Sequence, residues 1–187
     1  MAQPHPWLGA WLNRPYRLPH RRFRVRTEDN VPIVGVHIEQ AGTETVLIYA
    51  HGFLSNKNHR AVPRFVEALS TAFDVMSFDF RGHGESGGKC TFGALEMLDM
   101  AAVVNHAHTC GYRRVVLVGS SMGGAVAIHY AAEHNTVDGR GHHWGLRWAG
   151  HVALPHSTGG VALALPSPSG PLDGRPHAGY PTGAPSA

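Results

Sequence analysis

Apolar and polar positions divide the chain into short runs of two kinds. Phe23–Arg26 and Ile33–Ile38 are β-prone and are separated by Glu28-Asp29-Asn30, which is turn chemistry, so they predict an antiparallel pair. Thr45–Tyr49 is a continuous apolar run, the pattern of a strand buried on both faces. Asn58–Ser70 follows with Val62, Phe65, Val66 and Leu69 at helical spacing, and Pro63 fits only that helix's first turn. Phe73–Phe78 predicts the next strand. Phe92–His108 predicts a longer helix with Leu95, Leu98 and Ala102 on one side and Glu96 and Asp99 on another. Arg114–Val118 is the third buried strand, and Ser121–Glu133 a helix of small residues.

Strand and helix alternate three times, which predicts an α/β domain with a mostly parallel sheet and crossover helices. The domain spans residues 22–138, after an N-terminal extension over 1–21. Residues 139–187 do not continue it. They hold 7 of the 13 prolines, 10 of the 23 glycines and a single acid, Asp173. That composition predicts an irregular, disordered or extended C-terminal tail in which Val161–Leu165 is the longest strand-like run. A change of reading frame is one origin for so abrupt a break. Dropping one base in the Gly139 codon, with free choice of wobble bases, lets the next codons read Gly-Val-Val-Thr-Ile-Gly, a strand-like run where the fold needs one.

Composition narrows the function classes. With 43% hydrophobic and 16% charged residues the chain can bury a core, and no apolar stretch is long enough to span a membrane. The opening residues carry prolines and arginines but no apolar signal-peptide region, so a cytoplasmic location is expected. The net charge of +3 is mild and unclustered, which argues against a nucleic-acid partner. Cys90 and Cys110 make neither a disulfide framework nor a cysteine-based zinc site. His106 and His108 stand two apart on a predicted helix and face different ways, so no metal site is expected despite 15 histidines.

The chemistry-bearing residues fall at the carboxyl ends of the predicted parallel strands, where ligands bind in such sheets. They are His51-Gly52-Phe53, the run from Asp79 to Ser86 (D-x-R-G-x-G-x-S), and Gly119-Ser120-Ser121-Met122-Gly123 (G-x-S-x-G). A serine between a buried strand and a helix, flanked by glycines that let the two approach, matches a nucleophile elbow.

With these three motifs in this order, residues 22–138 resemble the N-terminal part of an α/β-hydrolase-fold serine hydrolase of the esterase and lysophospholipase-like branch. The resemblance implies Ser121 as nucleophile and the backbone N–H groups of Phe53 and Met122 as the oxyanion hole. It implies an architectural role for His51 and a structural turn for Arg81–Gly84, and it places Asp79 and Glu85 in that turn. It implies a small-molecule ester-type substrate (a carboxylic ester, thioester or amide), hydrolysed through an acyl-serine with no metal or organic cofactor. The triad acid and histidine would follow the nucleophile. Asp173 with His177, or Asp138 with His142 or His143, have the right order but no strands to hold them, so acid and base stay unassigned. The alternative is a catalytically inactive truncated or frameshifted fragment. The strand Arg114–Val118 would then expose an apolar edge and unpaired backbone groups.

Overall fold

The computed structural model describes residues 13–40, 42–135, 146–152 and 161–166. In chain order its elements are β1 (Arg21–Arg26), β2 (Pro32–Ile38), β3 (Thr45–Ala50), α1 (Val62–Leu69), β4 (Asp74–Phe78), α2 (Glu96–Thr109), β5 (Arg114–Ser120), α3 (Met122–Asn135), β6 (Leu146–Val152) and β7 (Val161–Pro166). The described strands form one sheet in the order β1-β2-β4-β3-β5-β7-β6. The centre β4-β3-β5 is parallel, and every other pairing is antiparallel.

β3 lies between β4 and β5 and explains its own composition. Val46, Ile48 and Ala50 enter one core with residues of α2 and α3, among them Met100, Val103, Val126 and Tyr130. Leu47 and Tyr49 enter the other, with Val62 and Val66 of α1. A strand covered on both faces has no polar side to show, which is why it reads as an unbroken apolar run. Asn13–Leu18 packs beside α1: Tyr16 is buried in that second core and its hydroxyl donates to the Lys57 carbonyl at 2.8 Å.

Two expectations are corrected. The helix predicted from Phe92 begins at Glu96, and its buried face is Glu96, Asp99, Met100, Val103, Val104 and Ala107, whereas Leu95 is exposed. The acids are inside because each has a partner. Asp99 accepts the Arg81 N–H and Nε–H at 2.8 and 2.9 Å. Glu96 accepts from the loop before the helix. A paired buried carboxylate defeats a reading that sends every acid to the surface. The second correction concerns the edge expected at the third buried strand. β7 pairs antiparallel along it, from Leu117↔Ala164 to Ser120↔Val161, and β6 pairs with β7. Both added strands lie within 139–187. The proposed acid–base pairs Asp138 with His142 or His143, and Asp173 with His177, lie outside the described residues.

Candidate active site

The site forms where β3, β4 and β5 end. β5 runs straight into α3, and the link is Ser121 at φ 50. A serine in that left-handed region is strained, and strain of this kind persists only where its surroundings impose it. The surroundings here are close backbones. A Cβ on Gly123 would lie 2.3 Å from the Ala50 carbonyl oxygen and 2.5 Å from that of His51. A Cβ on Gly119 would lie 2.5 Å from the Gly123 carbonyl. Only glycine lets α3 start this near the end of β3, and the turn then has nowhere to relax. The side chain of Ser121 is left exposed.

Met122 opens α3, so its N–H belongs to the first turn, where helical donors lack intrahelical acceptors. The loop after β3 lies against the same spot, with a Cβ position on Gly52 only 3.2 Å from Ser121 Cβ. Among the described residues neither the Phe53 nor the Met122 N–H has a hydrogen-bond acceptor. Ser121 opens into a cleft of about 540 Å³ lined by Phe53, Phe92, Met122, Val126 and His129, together with Gly93, Ala94 and Ala125.

His51 is fully buried and both its ring nitrogens serve the backbone. Nδ1–H donates to the Gly52 carbonyl at 2.8 Å, and Nε2 accepts the Phe80 N–H at 3.1 Å. It braces the loop after β3 against the loop after β4. Burial pushes its pKa down to about 4, so it is neutral at pH 7. Burial also lowers His37, His59 and His106. Unfolded histidines take up a proton near pH 6.5 that folded His51 refuses until about pH 4. On this account His51 contributes stability that is full above pH 6.5 and is lost below it, about 3 kcal/mol by pH 4, while Asp99, which burial raises to about 6, works in the opposite direction over the same range. Urea unfolding of the wild type and of His51→Gln across pH 7.5 to 4 isolates the histidine: the wild type should lose more stability than the variant between pH 7 and 5, and equal losses would refute it.

The D-x-R-G-x-G-x-S run is a self-bonded turn. Asp79 is fully buried and accepts the Lys57 N–H at 2.7 Å, Lys57 Nζ at 2.7 Å and the Glu85 N–H at 2.9 Å. Lys57 Nζ also reaches Glu85. Burial works to raise the Glu85 pKa, but Lys57 and Arg22 outweigh it and hold the carboxyl below its usual range. Ser86 Oγ–H donates to the Asp79 carbonyl at 2.6 Å and Oγ accepts the Val34 N–H at 2.9 Å, tying the turn to β2. Arg81 donates to Asp29 in the β1–β2 turn at 2.7 and 3.0 Å as well as to Asp99. Hydrogen bonds from Arg81 hold Asp29 well below the usual carboxylate range, at about 2.

Of the histidines, His129 alone among the described residues lines the cleft, and its Nε2 lies 3.1 Å from Glu133. It stands seven residues along α3 from Met122, about 10 Å of helix rise, too far to take a proton from Ser121 directly. His106 packs against Phe23 with the two rings tilted by 31°, and His108 Nδ1–H donates to the Tyr112 carbonyl at 3.1 Å. Among the described residues no side chain is hydrogen-bonded to Ser121, and no three His, Cys, Asp or Glu residues are grouped to hold a metal ion. No helix among them is long and apolar enough to cross a membrane. Phe92, Glu96 and His129 carry no motif, and sequence reasoning passed over them as site residues. The only local signal was Thr91 five residues before Glu96, outside the three-residue spacing of a capping box.

A sheet with parallel centre, flanking helices and a serine turn at its carboxyl end defines an α/β hydrolase. The family model for the alpha/beta hydrolase fold matches residues 45–139, and the chain belongs to that family. Among solved structures it is similar to the Pf2001 esterase of Pyrococcus furiosus, at 31% identity and a TM-score of 0.59 over 65% of this chain and 54% of that one. It is similar to a putative hydrolase of Agrobacterium vitis S4, at 25% identity and a TM-score of 0.53 over 67% and 48%. Among curated proteins, bem46 of Schizosaccharomyces pombe is 26% identical over 125 residues, 64% of this chain and 42% of that protein. The chain thus spans about half the length of these relatives.

Proposed function

We propose that this chain carries the nucleophile and oxyanion hole of a serine hydrolase acting on carboxylic esters or related thioesters and amides. Ser121 Oγ attacks the carbonyl carbon while a base takes its proton. The negative charge that forms on the carbonyl oxygen is received by the N–H groups of Phe53 and Met122 and by the N-terminus of α3. Collapse breaks the bond to the alcohol, which leaves with a proton, and water then releases the acid from the acyl-serine. An oxyanion donor in such a site is worth about 2.7–4 kcal/mol of transition-state stabilisation. The observation that carries this reading is the exposed, strained Ser121 at the β5–α3 junction, beside two backbone donors without acceptors.

A second reading is that this chain alone does not turn over. It is favoured by the lack of any acid or base hydrogen-bonded to Ser121 among the described residues. A serine without a base is a poor nucleophile.

A fluorophosphonate probe separates the two, since labelling requires an activated serine. The hydrolase reading expects stoichiometric labelling at Ser121 and none in Ser121→Ala. A folded wild-type chain that stays unlabelled at high probe concentration supports the inactive reading.

A further inference from the structure

The loop entering α2 displays a side chain that ester hydrolysis at Ser121 does not itself require. Phe92 sits at φ 54, where a bulky residue is an outlier. It is also 71% exposed. The backbone strain opposes folding and the exposed ring returns little burial to offset it, yet the loop is built to hold both. Thr91 donates from N–H and Oγ–H to the buried Glu96 carboxylate at 2.7 and 2.6 Å, and the Gly93 N–H donates to it at 2.7 Å. The Leu95 N–H donates to Thr91 Oγ1 at 2.9 Å. Phe92 is therefore fastened on both sides while its ring is held outward. That ring meets the Phe53 ring at a centroid distance of 4.6 Å and an angle of 48°. Both rings line the cleft at Ser121, whose described lining is apolar apart from Ser121 and His129. A strained, exposed aromatic kept at the mouth of a cleft is the kind of outlier from which a binding role follows.

We propose that Phe92, displayed by the loop that Glu96 fastens and backed by Phe53, receives an apolar limb of the ester and makes six-carbon esters the preferred substrates over acetate esters of small alcohols. This rests on Ser121 being where the ester carbonyl binds. Each methylene that an apolar wall removes from water is worth about fourfold in affinity, so four extra methylenes give ample room for selection. Phe53 contributes its ring to this wall and its N–H to the carbonyl, and the two roles separate on substitution because any residue but proline keeps the N–H.

Binding can be read without chemistry in the full chain carrying Ser121→Ala. Ligand-observed NMR would compare ethyl hexanoate and hexyl acetate with ethyl acetate. At least one six-carbon ester should bind tenfold or more tightly than ethyl acetate. Adding Phe92→Ala should remove most of that gap, while Phe73→Ala, an exposed aromatic at the opposite end of the sheet, should leave it intact. Phe92→Gly should also lose the preference yet raise the thermal midpoint, because glycine accepts the positive φ. A purely structural role for Phe92 would not move affinity and stability in opposite directions. The proposal is overturned if neither six-carbon ester outbinds ethyl acetate, or if both Phe92 variants keep the preference. Failure of fluorophosphonate labelling would sink the hydrolase reading without altering this measurement.

Discussion

Gly123→Ala should destabilise the protein by about 3 kcal/mol or more. Two effects compete at this position. Near the start of α3, alanine is the better helix former, by up to about 1 kcal/mol over glycine. Against that, the added methyl group would sit 2.3 Å from the Ala50 carbonyl oxygen and 2.5 Å from that of His51. Both contacts are to backbone, and Ala50 ends a strand paired with β4 on one side and β5 on the other. No flexible side chain can give way, so the steric effect wins. Urea denaturation of the two proteins decides the matter: a midpoint unchanged or raised in the variant would mean that α3 can shift outward, and that the strain at Ser121 is not imposed by this contact.

The second large effect lies in the turn after β4. Asp79→Ala should cost about 3–5 kcal/mol, the range for breaking a buried ion pair from one side. It leaves Lys57 Nζ, whose side chain is 2% exposed, with only the half-exposed Glu85 carboxylate, and it removes the acceptor of the Lys57 and Glu85 N–H groups. Lys57→Met should cost less. It leaves the Asp79 carboxylate with both backbone donors, and methionine fills the same channel. The double variant Lys57→Met with Asp79→Asn should recover part of the loss, since an amide can still accept an N–H without burying a charge. Equal costs for the two single variants, measured by urea unfolding, would show that Glu85 alone satisfies Lys57.

What could be read from the sequence follows from which interactions are local. β3 and β5 were legible because burial on both faces leaves an unbroken apolar run. The turn at Ser121 was legible because its glycines answer a close backbone approach between adjacent elements. The inside of α2 was not: Asp99 depends on an arginine 18 residues away, and Glu96 is buried by donors of a loop that the helical pattern had absorbed into the helix. Phe92 was misplaced as the start of a helix because its conformation is decided by the bonds of its neighbours Thr91 and Gly93 to Glu96 rather than by its own preference. The strand pairing of Val161–Pro166 with β5 was missed for the same reason: composition describes a segment alone, whereas an open sheet edge recruits whatever apolar run is near. The base and acid expected after Ser121 have no counterpart among the described residues.

Arg81 gives the molecule a mechanical property beyond its ion pairs. Its guanidinium clasps Asp29 in the β1–β2 turn and Asp99 in α2, while its backbone belongs to the loop after β4, whose His83 ring meets that of Phe53 edge-on. The β1–β2 hairpin sits at the far margin of the sheet from β5, where fraying would ordinarily be cheap. Here it is not free to open by itself, because unzipping the turn would leave a buried cation half-paired and loosen α2 with it. The margin, the helix and the loop after β4 consequently form one cooperative unit, whose amides should exchange with solvent together. A disturbance at the rim of the sheet should therefore show as lost exchange protection in α2 and in the loop after β4 as well.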